Sequence, residues 1–341
     1  MSIVYTTYDE SLHLDQLAAL EQYLWKGKSN EQLKEIFRWK YPSDAHLKNG
    51  FVAMDGDRLV AFAGFFINDY TDGNIVFPVA ITADSVTHPD YRGYGLFLRL
   101  TLMGTEYYDT NGMGCILCMT SNIKSSAARF KLGFQPLTRK IIGLRPVLKG
   151  ILPRYNASSR LFLRQMIHQR IEVTHTDTIS PELAAELAVH FETTRGGQFS
   201  LLRNAKFWLH RYNIPYLTIK YIILRNDGKV VGFVSYMESF SRRYKVKHVK
   251  IVDISPVSKF TNILIKAVGI YTGYWLISVY LTSPDALLYK ELNRLFPLKY
   301  TSKKNDLGDH IMIKPLSASA NLPDMYNSKN WAFGYIDLDS I

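Results

Sequence analysis

Residues 84–97 read D-S-V-T-H-P-D-Y-R-G-Y-G-L-F. Asp84 and His88 are side chains here that could accept a proton. Arg92, Gly93, Tyr94 and Gly95 suggest a second task. Glycine lets an anion come close to the backbone, and a helix starting behind the turn offers free N–H donors and its positive dipole end. With Arg92 adding charge, the turn suits a phosphate or a pyrophosphate. Two common phosphate loops are excluded. G-x-x-x-x-G-K-S/T is absent, and Gly93-Tyr94-Gly95 runs into Leu96-Phe97-Leu98 where a dinucleotide fingerprint needs a third glycine. For Asp84 the plainer alternative is a strand-edge carboxylate bonding a nearby N–H. For His88 it is a residue before proline that shapes the turn.

Such a turn needs a strand ahead of it and a helix behind it. The sequence supplies both: a strand over 77–87, then a helix over 94–111 with apolar Leu96, Leu98, Leu102 and Tyr107. A strand at 114–120 follows, and then a helix at 123–132 that ends before Gly133. Upstream lie two helices, near 11–24 and 29–38, and a hairpin at 50–68 around Asp55-Gly56.

These elements recur. F-R-W-K-Y-P with Trp39 returns as K-F-W-L-H-R-Y-N-I-P with Trp208, and V-A-I-T-A-D-S-V returns as V-K-I-V-D-I-S-P, pairing Asp84 with Asp253. The hairpin 51–65 matches 221–236, and 121–134 resembles 282–296. Four matches in one order predict two copies of an α/β fold with mixed sheets, divided as 1–145, a connecting segment 146–172, and 173–341.

At 341 residues, with 47% hydrophobic and 21% charged residues, the chain suits two folded domains. Its start has acids early and no apolar core of a secretory signal, and the uncharged run 267–282 is too short to span a bilayer. It reads as a helix end followed by a buried strand, and the expected location is cytoplasmic. Cys115 and Cys118 fall on an apolar strand, where positions i and i+3 face opposite sides. They are expected to be reduced core residues, with no metal site. The net charge of +11 is concentrated between Thr138 and Ile171: Arg139, Lys140, Arg145, Lys149, Arg154, Arg160, Arg164 and Arg170 stand there with no acid among them. Such a patch attracts polyanions or is a solvated connector; no nucleic-acid motif accompanies it, and no nucleic-acid partner is expected.

The run V-T-H-P-D-Y-R-G-Y-G-L-F, then a strand, S-N and F-K-L-G-F, resembles the GNAT superfamily of acyl-CoA N-acyltransferases. Arg92-x-x-Gly95 fits the family's Q/R-x-x-G-x-G/A loop, and Phe97 replaces its last small residue. The corresponding S-P-V-S-K-F-T-N-I-L-I of the second copy has no R-G-x-G. The resemblance therefore implies two tandem GNAT-like domains, only the first with an intact coenzyme A loop. It is similar to the enzymes that acylate dTDP-3-amino-3,6-dideoxyhexoses for lipopolysaccharide or capsule. The ending N-W-A-F-G-Y-I-D-L-D, with Trp331, Phe333, Asp337 and Asp339, also resembles polysaccharide-associated members.

The resemblance implies direct transfer of an acyl group, acetyl or 3-hydroxybutyryl, from acyl-CoA to a sugar amine in a ternary complex. Ser85, Val86 and Thr87 would offer backbone to pantetheine, with the Val86 N–H facing the oxyanion. The N–H groups of Gly93, Tyr94, Gly95 and Leu96, with Arg92, would hold the pyrophosphate. Asn122 would bond the pantetheine amide, with Ser125 a further candidate. Asp84 is the first choice of base and His88 the second, while Asp253 could face the acceptor from the second copy. Many members carry a tyrosine acid five residues before the final phenylalanine of the G-F pair; here that position is Arg129. Two other functions fit the same fold. One is an aminoacyl transfer enzyme using charged tRNA, which would explain the basic segment, and the other is a coenzyme A-binding module without turnover.

Overall fold

The computed structural model describes residues 2–43, 46–119, 123–139, 141–147, 164, 166, 168, 170–194, 197–241, 246–255, 259–272, 276–281, 292–300 and 310–333. The first half runs β1 (Ile3–Thr7), α1 (Glu10–Glu21), α2 (Asn30–Lys40), β2 (Gly50–Asp55), β3 (Arg58–Thr71), β4 (Val76–Thr87), α3 (Leu96–Thr110), β5 (Cys115–Cys118), α4 (Ile123–Lys131), β6 (Gln135–Arg139) and β7 (Ile141–Pro146). The second runs β8 (Ile171–Thr176), α5 (Pro181–Thr194), β9 (Ser200–Leu201), α6 (Ala205–Arg211), β10 (Lys220–Asn226), β11 (Lys229–Ser241), β12 (Val246–Ile254), α7 (Thr261–Thr272), β13 (Leu276–Leu281), β14 (Leu298–Tyr300) and β15 (His310–Pro315). The expected mixed α/β fold in two sheet-containing units is what forms.

Local signals explain several boundaries. Asp9 caps α1 by accepting from the Ser11 N–H, and Ser29 with Gln32 closes a capping box at the start of α2. The uncharged run 267–282 does end a helix, α7, and lead to β13. No helix among the described residues is long and apolar enough to cross a membrane.

The two sheets have matching orders: β1-β2-β3-β4-β5-β15-β6 in one and β8-β10-β11-β12-β13-β7-β14 in the other. In each, the strand between the fifth and the last comes from the other half of the chain. β7 pairs antiparallel with β13 and β14, while β15 pairs antiparallel with β5 and β6. A cut at residue 145 therefore passes through a strand of the second sheet. β9 adds a second crossing, pairing Ser200 and Leu201 with Thr71 and Tyr70 of β3.

The cores follow the same plan. α3 covers one face of the first sheet in a cluster with Phe51, Phe65, Leu96, Leu100, Tyr108 and Cys118. α7 covers one face of the second, with Ile222, Leu264, Val268 and Ile277. Between the sheets the helix pairs α1–α2 and α5–α6 share one continuous core, which joins Leu17, Phe37 and Phe62 to Leu187, Trp208 and Phe233. Cys115 belongs to this central core and Cys118 to the α3 side, so the two thiols do face opposite ways. Both are buried and neither is in a disulfide, and burial pushes the Cys115 thiol up.

Candidate active site

β4 carries the site because it is paired on only part of its length. It runs parallel to β5 where Val79, Ala80 and Ile81 face Cys115, Ile116 and Leu117. From Thr82 onward it remains paired to β3 but not to β5, so a V opens between the two strands. A bulge accompanies the opening. Ala63 faces Ser85 and Gly64 faces Ala83, which leaves Asp84 as the extra residue at φ 27°. That left-handed conformation is a strained one for a residue with a side chain.

The strain is held from the α1–α2 side. Asp84 Oδ2 accepts from Lys40 Nζ at 2.7 Å and from the Tyr41 hydroxyl at 2.8 Å, with the lysine and aspartate side chains 3% and 5% exposed. Tyr41 is the residue at which α2 ends. Gly64 gives the tyrosine its room, since a Cβ there would lie 2.1 Å from the hydroxyl oxygen. Glu21 completes the cluster: it is fully buried, and neither carboxyl oxygen has a hydrogen-bond partner. Burial first, and then the nearby Asp84 carboxylate, push the Glu21 carboxyl well above its usual range, while Lys40 pulls it down. Sequence reading missed Glu21 and Lys40, because a charged residue on or just past a predicted helix reads as solvent-facing.

The second copy repeats this arrangement. Asp253 on β12 is buried, is gripped by Arg203 through Nε at 2.7 Å and Nη2 at 3.0 Å, and accepts from the Tyr212 hydroxyl at 3.3 Å. Tyr212 closes α6 as Tyr41 closes α2. Asp253 is thus taken up by its own half.

Backbone direction corrects one expectation. The His88 N–H donates to the Val60 carbonyl of β3 at 2.9 Å, and Phe62 faces Val86 in the same ladder. Antiparallel pairs alternate, so the Val86 amide also turns toward β3, while those of Ser85 and Thr87 turn to the open side. The Thr87 carbonyl is on that side too, accepting from Arg92 Nε at 3.4 Å.

The His88 ring is fixed in the turn. Arg58 Nη2 donates to His88 Nε2 at 2.8 Å, since a guanidinium has no acceptor, and the Tyr23 hydroxyl lies 3.2 Å from the same nitrogen. Nδ1 lies beside the Asp90 N–H and carboxylate. His88 therefore shapes the turn.

Beyond it both glycines take a left-handed backbone. Gly93 has φ 90° and Gly95 φ 75°, and a Cβ at either would meet open space, so the requirement is conformational. Gly95 starts α3 with no side-chain cap, which leaves the first-turn N–H groups available. Arg92, Gly93, Tyr94 and Gly95 are exposed, and buried Leu96 anchors the helix. Ser125 lies near the start of α4, half-buried. Asn122 is outside the described residues, as are Lys140, Lys149, Arg154, Arg160, Asp337 and Asp339. Trp331 and Phe333 stack on each other inside the central core, where Trp331 Nε1 donates to the Met325 carbonyl.

Residues 9–126 match the family model described as the acetyltransferase (GNAT) domain. Solved structures agree in fold over nearly the whole chain. A GCN5-related N-acetyltransferase from Anabaena variabilis superposes with a TM-score of 0.64 at 13% identity, covering 92% of this chain and 73% of that one. One from Kribbella flavida gives 0.61 at 16% identity, over 93% and 72%. A probable N-acyltransferase of unknown function from Enterococcus faecalis gives 0.63 at 12% identity, over 93% and 74%. At these identities the likeness is one of fold. No curated protein matches by sequence.

Proposed function

We propose that the chain is an acyl-CoA-dependent N-acyltransferase whose donor lies in the V between β4 and β5. The observation that carries this reading is the continuity of three features on one strand: the bulge at Asp84, the unpaired edge beyond it, and the uncapped glycine turn at its end. The N–H groups of Gly93, Tyr94, Gly95 and Leu96, with Arg92, take the diphosphate. Ser85 and Thr87 offer the backbone to the pantetheine arm, and Asn122 and Ser125 are proposed for its amide. The Ser85 N–H, next to the bulge and turned to the open side, takes the oxyanion role in place of Val86. Such a preorganised donor is worth roughly 10²–10³ in rate.

Asp84 is the proposed base. Lys40 and Tyr41 fix its orientation, whereas His88 Nε2 is occupied by Arg58. The acyl group is acetyl or 3-hydroxybutyryl, and the acceptor is the amine of a nucleotide-linked amino sugar of the dTDP-3-amino-3,6-dideoxyhexose class. Support for the acceptor comes from the likeness of Y-R-G-Y-G-L-F and of the 330–339 segment to polysaccharide-associated members. On this reading the protein works in the cytoplasm on small molecules.

The test is thiol release from acetyl-CoA and 3-hydroxybutyryl-CoA, with and without the sugar, alongside calorimetric coenzyme A binding to wild type and Gly95→Trp. Sugar-dependent release, with binding lost in the variant, supports the whole reading. Binding without release for either donor sinks the sugar acceptor.

A further inference from the structure

We propose that Arg129 is a catalytic residue that stabilises the departing thiolate of the donor; this rests on the donor site proposed above. Arg129 stands on α4, and its Nη2 donates to Thr82 Oγ1 at 3.3 Å. Thr82 is the first residue of β4 beyond its last pairing with β5, so the guanidinium sits where the V begins. The side chain is 4% exposed, and its Nε and Nη1 groups have no hydrogen-bond partner. Among the described residues no carboxylate is paired with it.

Its other neighbour is Phe97, whose ring centroid lies 5.2 Å from the guanidinium carbon. Phe97 is in the first turn of α3, directly behind the glycine turn. The two positions that depart from the GNAT pattern, the third small residue of the loop and the tyrosine before the G-F pair, are thus in contact. Together they form one unit between the proposed diphosphate site and the apex of the V.

A guanidinium keeps its charge inside a protein and only donates. Buried with unmet donors and, among the described residues, no anionic neighbour, it is suited to a negative charge brought in by a ligand. The proposed reaction generates one at this place. As the amine adds to the thioester carbonyl, a C–N bond forms. As the adduct collapses, the C–S bond breaks and sulfur leaves with the electron pair as a thiolate. The proton lost by nitrogen goes to the base, and the thiolate takes a proton from solvent after release, so the products are the amide and the coenzyme A thiol. A tyrosine at position 129 would donate a proton; the arginine stabilises charge instead. The Phe97 ring is the cover that the arriving arm displaces to bring sulfur to the guanidinium.

The test uses free coenzyme A as the probe and needs no acceptor. Calorimetry measures its binding to wild type, Arg129→Gln and Arg129→Lys, and the ultraviolet absorbance of the thiolate is then titrated in each complex. The expected result is a bound thiol about tenfold more acidic in wild type than in Arg129→Gln, with Arg129→Lys in between. Identical titrations in complexes that bind equally well overturn the role of Arg129 and leave the donor site standing. Failure of wild type to bind coenzyme A overturns the donor site and this inference with it. If wild type binds succinyl-CoA far more tightly than acetyl-CoA and Arg129→Gln erases that preference, the cation serves an acyl carboxylate and the thiolate role falls.

Discussion

Trp39 and His210 hold each other reciprocally. The indole N–H of Trp39 donates to the His210 carbonyl at 3.0 Å, and His210 Nε2, facing an atom that only accepts, donates to the Trp39 carbonyl at 3.2 Å. Their rings stack at 5.4 Å and 10°. Each is the penultimate residue of its helix, α2 or α6, so equivalent corners of the two halves meet as the same patch meets itself across a two-fold axis. Buried Arg211 packs its guanidinium over Trp39 and Phe66 beside them.

The relationship is measurable as a coupling. Trp39→Phe and His210→Ala each remove one donor, and the double variant should lose less than the sum of the two, by about 0.5–1.5 kcal/mol in urea unfolding. Strict additivity would show that the two bonds act independently.

Gly64→Ala tests the tyrosine clamp. The new methyl meets the Tyr41 hydroxyl oxygen at 2.1 Å and Phe62 at 2.9 Å, so the backbone or the ring must shift. The expected loss is about 1–3 kcal/mol of stability. Turnover should fall as well, because the Tyr41 contact with Asp84 cannot survive unchanged. Retained stability and turnover would show that the clamp has slack.

Glu21→Gln should change the pH dependence of stability. A carboxyl whose folded pKa is raised keeps its full stabilising share below its unfolded value of about 4.3 and loses it as pH climbs toward the folded value. Wild type is therefore expected to lose stability through that window, and the glutamine variant should follow a flatter curve. The variant's advantage should appear at neutral pH and vanish in acid. Melting temperatures over a pH series decide it; parallel curves would show that Glu21 ionises normally.

Strand exchange predicts that the halves depend on each other. Residues 1–147 alone lack β15, which leaves the β5 edge unpaired, and carry β7 with no sheet to join. Expressed alone this half should aggregate or pair with itself, while co-expression with 148–341 should give a soluble one-to-one complex by gel filtration. A monomeric, cooperatively melting 1–147 fragment would contradict this.

Local pattern carried much of the fold into the sequence. Strand, glycine turn and helix around residues 84–97 follow from residue types a few positions apart, and the pairing of Asp84 with Asp253 is visible because V-A-I-T-A-D-S-V and V-K-I-V-D-I-S-P share a local pattern. The Asp55-Gly56 hairpin and the opposed cysteines follow from the two-residue period of a strand. The exchange of β7 and β15 left no such trace, because nothing in Ile141–Pro146 tells which of two similar sheets its edges will join. The Val86 amide was misdirected for a related reason: the alternation of a ladder depends on register with the partner strand, and a bulge at Asp84 shifts that register by one residue. Glu21 and Lys40 were missed because their burial is decided by how α1 and α2 settle on the sheet.

The placement of β15 also sets an order in time. The strand that backs the far wall of the V spans residues 310–315, whereas the turn proposed to hold the donor is complete by residue 96. On the ribosome the donor half emerges early, yet its sheet stays one strand short until well over 300 residues have been made. A chain interrupted in the second half before β15 keeps every residue proposed to touch the donor and still has no finished cleft.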